Sequence, residues 1–144
     1  MKYFVVMAIV VAMLAPATYA ATVSIPDSSP AVMDAMYQLV FTMMKERVKN
    51  DPVMAAKFAK AADNGLFRAS IEMGFLLGRK DERFKKLARK VGHILGKNYS
   101  RAEQEFEIKE MVDYMRESGP RSVVHLTGPM EREIRLGISE VQNQ

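Results

Sequence analysis

The sequence contains no cysteine, no tryptophan and only two histidines in 144 residues. Without thiols it can build neither a disulfide framework nor a thiolate zinc site, so its apolar core has to hold the fold unaided. His93 and His125 have neither a second histidine nor a carboxylate at metal-ligand spacing. Both are therefore expected to be structural, with no metal bound. No serine lies in a nucleophile elbow or any other local catalytic signature. Internal repeats and low-complexity tracts are absent too, and no strand-like alternation occurs beyond Ser122 to His125. These absences argue against an enzyme and against a bound cofactor, and they direct attention to helices and surface charge.

The first twenty residues carry the signature of a secretory signal. Lys2 is the charged start, Tyr3 to Leu14 is an almost unbroken apolar run, and Ala15 to Ala20 ends in small residues suited to cleavage after Ala20. The run falls short of the roughly 18 residues of a membrane span. Residues 1–20 are accordingly read as a signal peptide, 21–29 as an extended lead-in, and 30–144 as one helical domain without a transmembrane segment. The whole chain holds 21 basic and 17 acidic side chains. Removing Lys2 leaves 20 against 17, or +3, too mild a balance for a dedicated nucleic-acid binder. Of the 12 methionines, Met1, Met7 and Met13 lie in the signal. The remaining nine predict a pliable interior or contact surface.

Helical periodicity accounts for most of the rest. Ser29-Pro30 reads as a cap with proline at the first helical position, opening a helix to Asn50. Its stripe would be Val32, Met36, Leu39, Val40, Met43 and Met44, widened by Met33, Tyr37 and Phe41. An apolar helix of that breadth is expected at the centre of the fold. Asp51-Pro52 starts a short alanine-rich helix that Asn64-Gly65 stops. Leu66 to Leu77 follows, ended by Gly78. From Asp81 to Leu95, apolar Phe84, Leu87, Ala88, Val91, Ile94 and Leu95 keep i, i+3, i+4, i+7 spacing, and Gly96-Lys97-Asn98 is read as the close. Ser100-Arg101-Ala102-Glu103 is a capping box for a helix burying Ile108, Met111, Val112 and Met115. Arg121 to Leu126 reads as extended, and Gly128-Pro129 starts a last helix carrying Ile134, Leu136 and Val141. The fold class is all-α: an up-and-down bundle of about five or six helices, without disulfides.

Charge is divided along the chain. Arg79, Lys80, Arg83, Lys85, Lys86, Arg89, Lys90 and Lys97 crowd one segment, and Glu103, Glu105, Glu107, Glu110, Asp113 and Glu117 the next. The two helices could attract each other across the bundle. Alternatively the basic residues form a docking surface for an acidic glycoprotein, a glycan or an anionic membrane. Glu103, Glu107 and Glu110 share one helical face, and glycoside hydrolysis would need such carboxyls across a cleft, tuned apart. Stacked on one polar face they read instead as solvated. Phe84 to Lys97 alone resembles a cationic membrane-active helix, and Leu77-Gly78-Arg79-Lys80 an amidation and dibasic-cleavage site. Capped, amphipathic neighbours favour a folded domain over either. Asn98-Tyr99-Ser100 is an N-glycosylation sequon, marking Asn98 as a candidate site.

The layout resembles the egg-lysin family of gastropod sperm acrosomal proteins, the lysins and their fusagenic paralogue. The resemblance rests on Asp63-Asn64-Gly65-Leu66 opening a helix and on Gly78-Arg79 followed by Lys85-Lys86. It extends through Tyr99 at a basic junction, Gly119 ending the long helix and Val123-Val124 before the last one. From Lys97 to Val124 the pattern aligns without a gap. The chain departs from it in lacking tryptophan, in its mild charge and in its acidic helix, which would make it a divergent member. The resemblance implies a secreted protein, stored in the acrosomal vesicle, that acts on an egg coat or egg membrane by binding, without bond cleavage. A homodimer is compatible with that role. A secreted matrix or shell protein and a cationic defence protein are the other expectations.

Overall fold

A computed structural model describes residues 30–143. The expected signal, lead-in and Ser29 cap lie outside the described residues. Within them are six α-helices and one 3₁₀ helix, and no strand. They are α1 (Pro30–Val48), α2 (Pro52–Asp63), α3 (Leu66–Gly78), α4 (Phe84–Asn98), α5 (Arg101–Ser118), the 3₁₀ helix (Arg121–Leu126) and α6 (Thr127–Gln142). The protein is an all-α bundle, as the periodicity predicts.

Local chemistry sets most of the boundaries. The Asp51 carboxylate accepts from the Met54 amide at 3.1 Å, with Pro52 in the first helical turn. Gly65, at φ +88°, turns the chain between α2 and α3 in a conformation that residues with a Cβ avoid. Ser100 and Glu103 form the reciprocal capping box of α5. The Gly119 amide closes α5 on the Tyr114 carbonyl at 3.0 Å.

The centre of the bundle is α3, not α1. Ten of the 13 residues of α3 are buried, from Leu66 to Leu77. Helix α1 buries only a narrow stripe, Val32, Met36, Val40, Met44 and Val48, with Met33, Tyr37 and Phe41 beside it. Leu39 and Met43, expected in that stripe, are 54% and 48% exposed. Apolar residues on α1 cover more of its circumference than one neighbour can bury, and the core lies on the Tyr37 side rather than the Leu39 side. An aromatic cluster ties α1, α2 and α3 together. The rings of Phe58 and Phe67 meet edge to face at 5.0 Å, and Phe41 lies 5.3 Å from Phe58.

Helices α4 and α6 run parallel in the closest helix contact of the fold. Residue 89 faces 133, 92 faces 137 and 96 faces 141, a near-constant offset along both. Glycines permit the approach. A Cβ on Gly92 would lie 2.0 Å from the Ile134 carbonyl oxygen, and one on Gly137 2.2 Å from that of Arg89. Gly96, expected to close α4, is inside it, packed against Val141 and Ile138. The inward residues of α6 are Met130, Ile134, Gly137 and Ile138, whereas Leu136 is 42% exposed.

Residues 121–126 are helical rather than extended. A lone strand with no partner would leave its amides and carbonyls unpaired. The 3₁₀ turn satisfies them locally, with the Val123 amide on the Pro120 carbonyl at 3.1 Å and the Thr127 hydroxyl on the Val124 carbonyl at 2.7 Å.

Candidate functional site

The fold divides the basic segment into residues that are occupied and residues that are not. Arg79 lays its guanidinium over the Phe75 ring, 5.5 Å from the centroid. Lys80 occupies the turn between α3 and α4 with a left-handed φ of 56°. Arg83 clasps Asp81, donating from Nε at 3.0 Å, and holds its carboxyl down to about 2. Lys85 lies 2.7 Å from Glu82. Arg89 reaches across to α6, donating to Glu133 at 2.7 and 3.1 Å and lying 3.3 Å from Glu140. His93 stands beside it, 3.5 Å from Glu140.

Of the basic residues on α4, Lys86, Lys90 and Lys97 remain. They are exposed, and none has a carboxylate within ion-pair distance among the described residues. Their spacing explains why they stand together. Lys86, Lys90, His93 and Lys97 fall at i, i+4, i+7 and i+11, one line along the outer side of α4. The line is about 16 Å long at 1.5 Å per residue. Its rigidity comes from the opposite side of the helix, where Phe84, Ala88, Val91 and Leu95 are buried. An open groove runs along its first half, edged by Leu76 of α3 and Glu133 of α6.

Among the described residues no ion pair joins the two charged helices, contrary to one expectation from the sequence. Helix α6 stands between them electrostatically. It gives Glu133 and Glu140 to Arg89 of α4, and its Arg135 takes Glu105 of α5 at 2.8 and 3.0 Å. Asn98 ends α4 exposed, its side-chain amide donating to the Ile94 carbonyl at 3.0 Å. The sequon therefore sits at a helix end open to solvent.

Of the three carboxyls expected on a solvated face, Glu107 and Glu110 are withdrawn from solvent, which corrects a second expectation in part. Glu103 is exposed and capped, and Glu107 is partly buried; Glu110 is buried with Oε2 lacking a hydrogen bond. Beside Glu103 and Glu107 lies a cleft of about 280 Å³, lined by Lys57 and Lys60 of α2, Tyr99, and Ala102, Glu103, Phe106 and Glu107. Burial pushes the Glu107 carboxyl up to about 7, while backbone and side-chain hydrogen bonds from Ser100 hold Glu103 below its usual range. Two carboxyls tuned apart can divide acid and base roles. Here, however, both stand on one wall, and the facing wall offers lysines. A glycosidic bond needs carboxyls flanking it. Sequence reasoning misses this cleft, because Lys57 and Lys60 stand on a short alanine-rich helix more than 40 residues before Glu103. A signal did exist in Phe106, an aromatic residue set among glutamates on the polar side.

No three histidine, cysteine, aspartate or glutamate side chains gather to hold a metal among the described residues. No described helix is long and apolar enough to cross a membrane. Comparison with protein-family models, with characterised proteins and with solved structures gives no match.

Proposed function

We propose that this chain is a secreted binding protein without catalytic activity, which docks through the outer line of α4 onto an anionic extracellular partner. The observation that carries the reading is the row Lys86, Lys90 and Lys97: three exposed ammonium groups, in line on a rigid helix, with no carboxylate partner among the described residues. The other basic side chains of the same stretch, Arg83, Lys85 and Arg89, are paired. A row of unpaired cations attracts an extended anion and hastens its encounter. The resemblance to egg-lysins gives the partner a class, an egg-coat glycoprotein met at fertilisation. The defence-protein alternative is less well supported. It would require α4 to withdraw Phe84, Val91 and Leu95 from the core before it could enter a bilayer.

The test separates docking from folding by choice of residue. Reversing Lys86, Lys90 and Lys97 to glutamate should slow association with an acidic glycoprotein such as a sialylated mucin, measured by surface plasmon resonance. The melting temperature should hardly change. Added salt should weaken the wild-type interaction, since such charges are screened beyond about 8 Å at physiological ionic strength. Reversing Arg89 should do the opposite, lowering stability through Glu133 and Glu140. Unchanged association in the triple variant would end the reading.

A further inference from the structure

The cleft between α2 and α5 plays no part in docking by α4, and its construction points to a ligand of its own. Its floor is apolar and aromatic, made by Tyr99, Ala102 and the half-exposed ring of Phe106. Lys57 and Lys60 lie three residues apart on α2, so both reach the same side. Neither has a carboxylate within ion-pair distance among the described residues, although Glu103 and Glu107 line the other wall. Lys60 sits over the Tyr99 ring, 4.2 Å from its centroid, and Asn64 fixes that ring by donating to the Tyr99 hydroxyl at 3.1 Å. One oxygen of Glu103 is already committed to the Ser100 amide at 2.9 Å. Glu107 makes no hydrogen bond among the described residues. The cleft thus holds two cations outside ion-pair contact against one ionised carboxylate, Glu103, with an apolar shelf between the lysines and a second carboxyl, Glu107, that burial keeps from ionising freely.

We propose that this cleft binds a small amphipathic monocarboxylate, its carboxylate held by Lys57 and Lys60 and its apolar body laid on Phe106, Ala102 and Tyr99. The charge balance favours an anion, because two lysines stand against one ionised carboxylate, Glu103, while Glu107 keeps its proton. The volume sets the size. At about 30 Å³ for each non-hydrogen atom, the share of a liquid water molecule, 280 Å³ takes about nine or ten atoms. Octanoate, with eight carbons and two oxygens, is the matching probe.

Glu107 gives the binding a distinctive pH dependence. The charged groups that act on it are Lys57 from α2 and Glu103 and Glu110 from its own helix. Protonated, it is a neutral neighbour and a hydrogen-bond donor to the bound carboxylate. Ionised, it repels that carboxylate. Its proton is lost around pH 7, while octanoate itself is ionised throughout. Affinity should therefore fall between pH 6 and pH 8 by up to about tenfold, the change in the neutral fraction of such a group.

Octanoate titration by calorimetry, with ring-proton shifts of Tyr99 and Phe106 followed by NMR, decides the matter. Saturable binding is expected, with shifts at both rings and the stated loss of affinity at high pH. Lys57→Ala with Lys60→Ala, both exposed positions, should abolish it in a protein whose circular dichroism is unchanged. Glu107→Gln should keep the binding and remove its pH dependence. Octylammonium should bind at least tenfold more weakly. Octylammonium binding as tightly as octanoate, affinity rising with pH, or full binding after loss of both lysines would each overturn the proposal. The triple reversal of Lys86, Lys90 and Lys97 should leave octanoate binding intact, so this site and the α4 surface stand or fall separately.

Discussion

Replacing Gly92 by alanine should damage the fold far more than the addition of one methyl group suggests. The new Cβ would lie 2.0 Å from the Ile134 carbonyl oxygen and 2.9 Å from the Gly137 Cα, both backbone atoms. A Cβ essentially never comes within 3.0 Å of such an atom, so α4 and α6 would have to part by at least 1.0 Å, the difference between 3.0 and 2.0 Å. No rotamer relieves the clash, because neither partner is a side chain. Separation would also loosen Ala88, Val91, Ile134 and Ile138, all buried along the same seam. Overpacking of this kind costs typically 1–3 kcal/mol, and a backbone clash belongs at the upper end, about 3 kcal/mol. For a domain of this size that lowers the melting temperature by roughly 10 °C. The control is Gly128→Ala in the first turn of α6, where an added Cβ meets nothing within 4 Å. Helix propensity alone should raise stability there by up to about 1 kcal/mol. Thermal denaturation followed by circular dichroism measures both. A Gly92→Ala protein melting with the wild type would refute the close crossing of α4 and α6.

Two further substitutions probe the interior. Burial raises the Glu107 carboxyl from 4.5 to about 7, so the folded state keeps a proton that the unfolded chain releases. Its contribution is fully present below about pH 4.5 and is lost as pH rises to about 7, amounting to at most about 3 kcal/mol. Urea denaturation at pH 5 and pH 8 should show Glu107→Gln losing less stability over that interval than the wild type; parallel curves would rule out the buried environment. The Ser70 hydroxyl is buried without a hydrogen-bond partner. Ser70→Ala should therefore stabilise the protein by about 1 kcal/mol in the same assay, and a destabilised variant would mean that the hydroxyl is satisfied after all.

The sequence alone determined the helices and most of their ends, because caps and periodicity act between residues that are near in the chain. Asp51-Pro52, Asn64-Gly65 and the Ser100–Glu103 box hold their helix termini whatever surrounds them. The buried face of α4 was equally legible, since Phe84, Ala88, Val91 and Leu95 admit only one inward side. Tertiary structure decided everything that depends on which neighbour a face meets. Composition alone could not show that α3 would take the centre while Leu39 and Met43 of α1 stayed in solvent. Nor could it show that Gly92 would meet Gly137, and Gly96 meet Val141, each across 45 positions of chain, rather than act as local breaks. The basic segment read as one patch, yet on α4 only Lys86, Lys90 and Lys97 lack an ion pair among the described residues, because Glu133 and Glu140 arrive from the far end of the chain to take Arg89. The same is true of Glu107. In one dimension it is a charge on a polar helix, and only its burial in the fold holds its proton near neutrality, against the pull of Lys57 from α2.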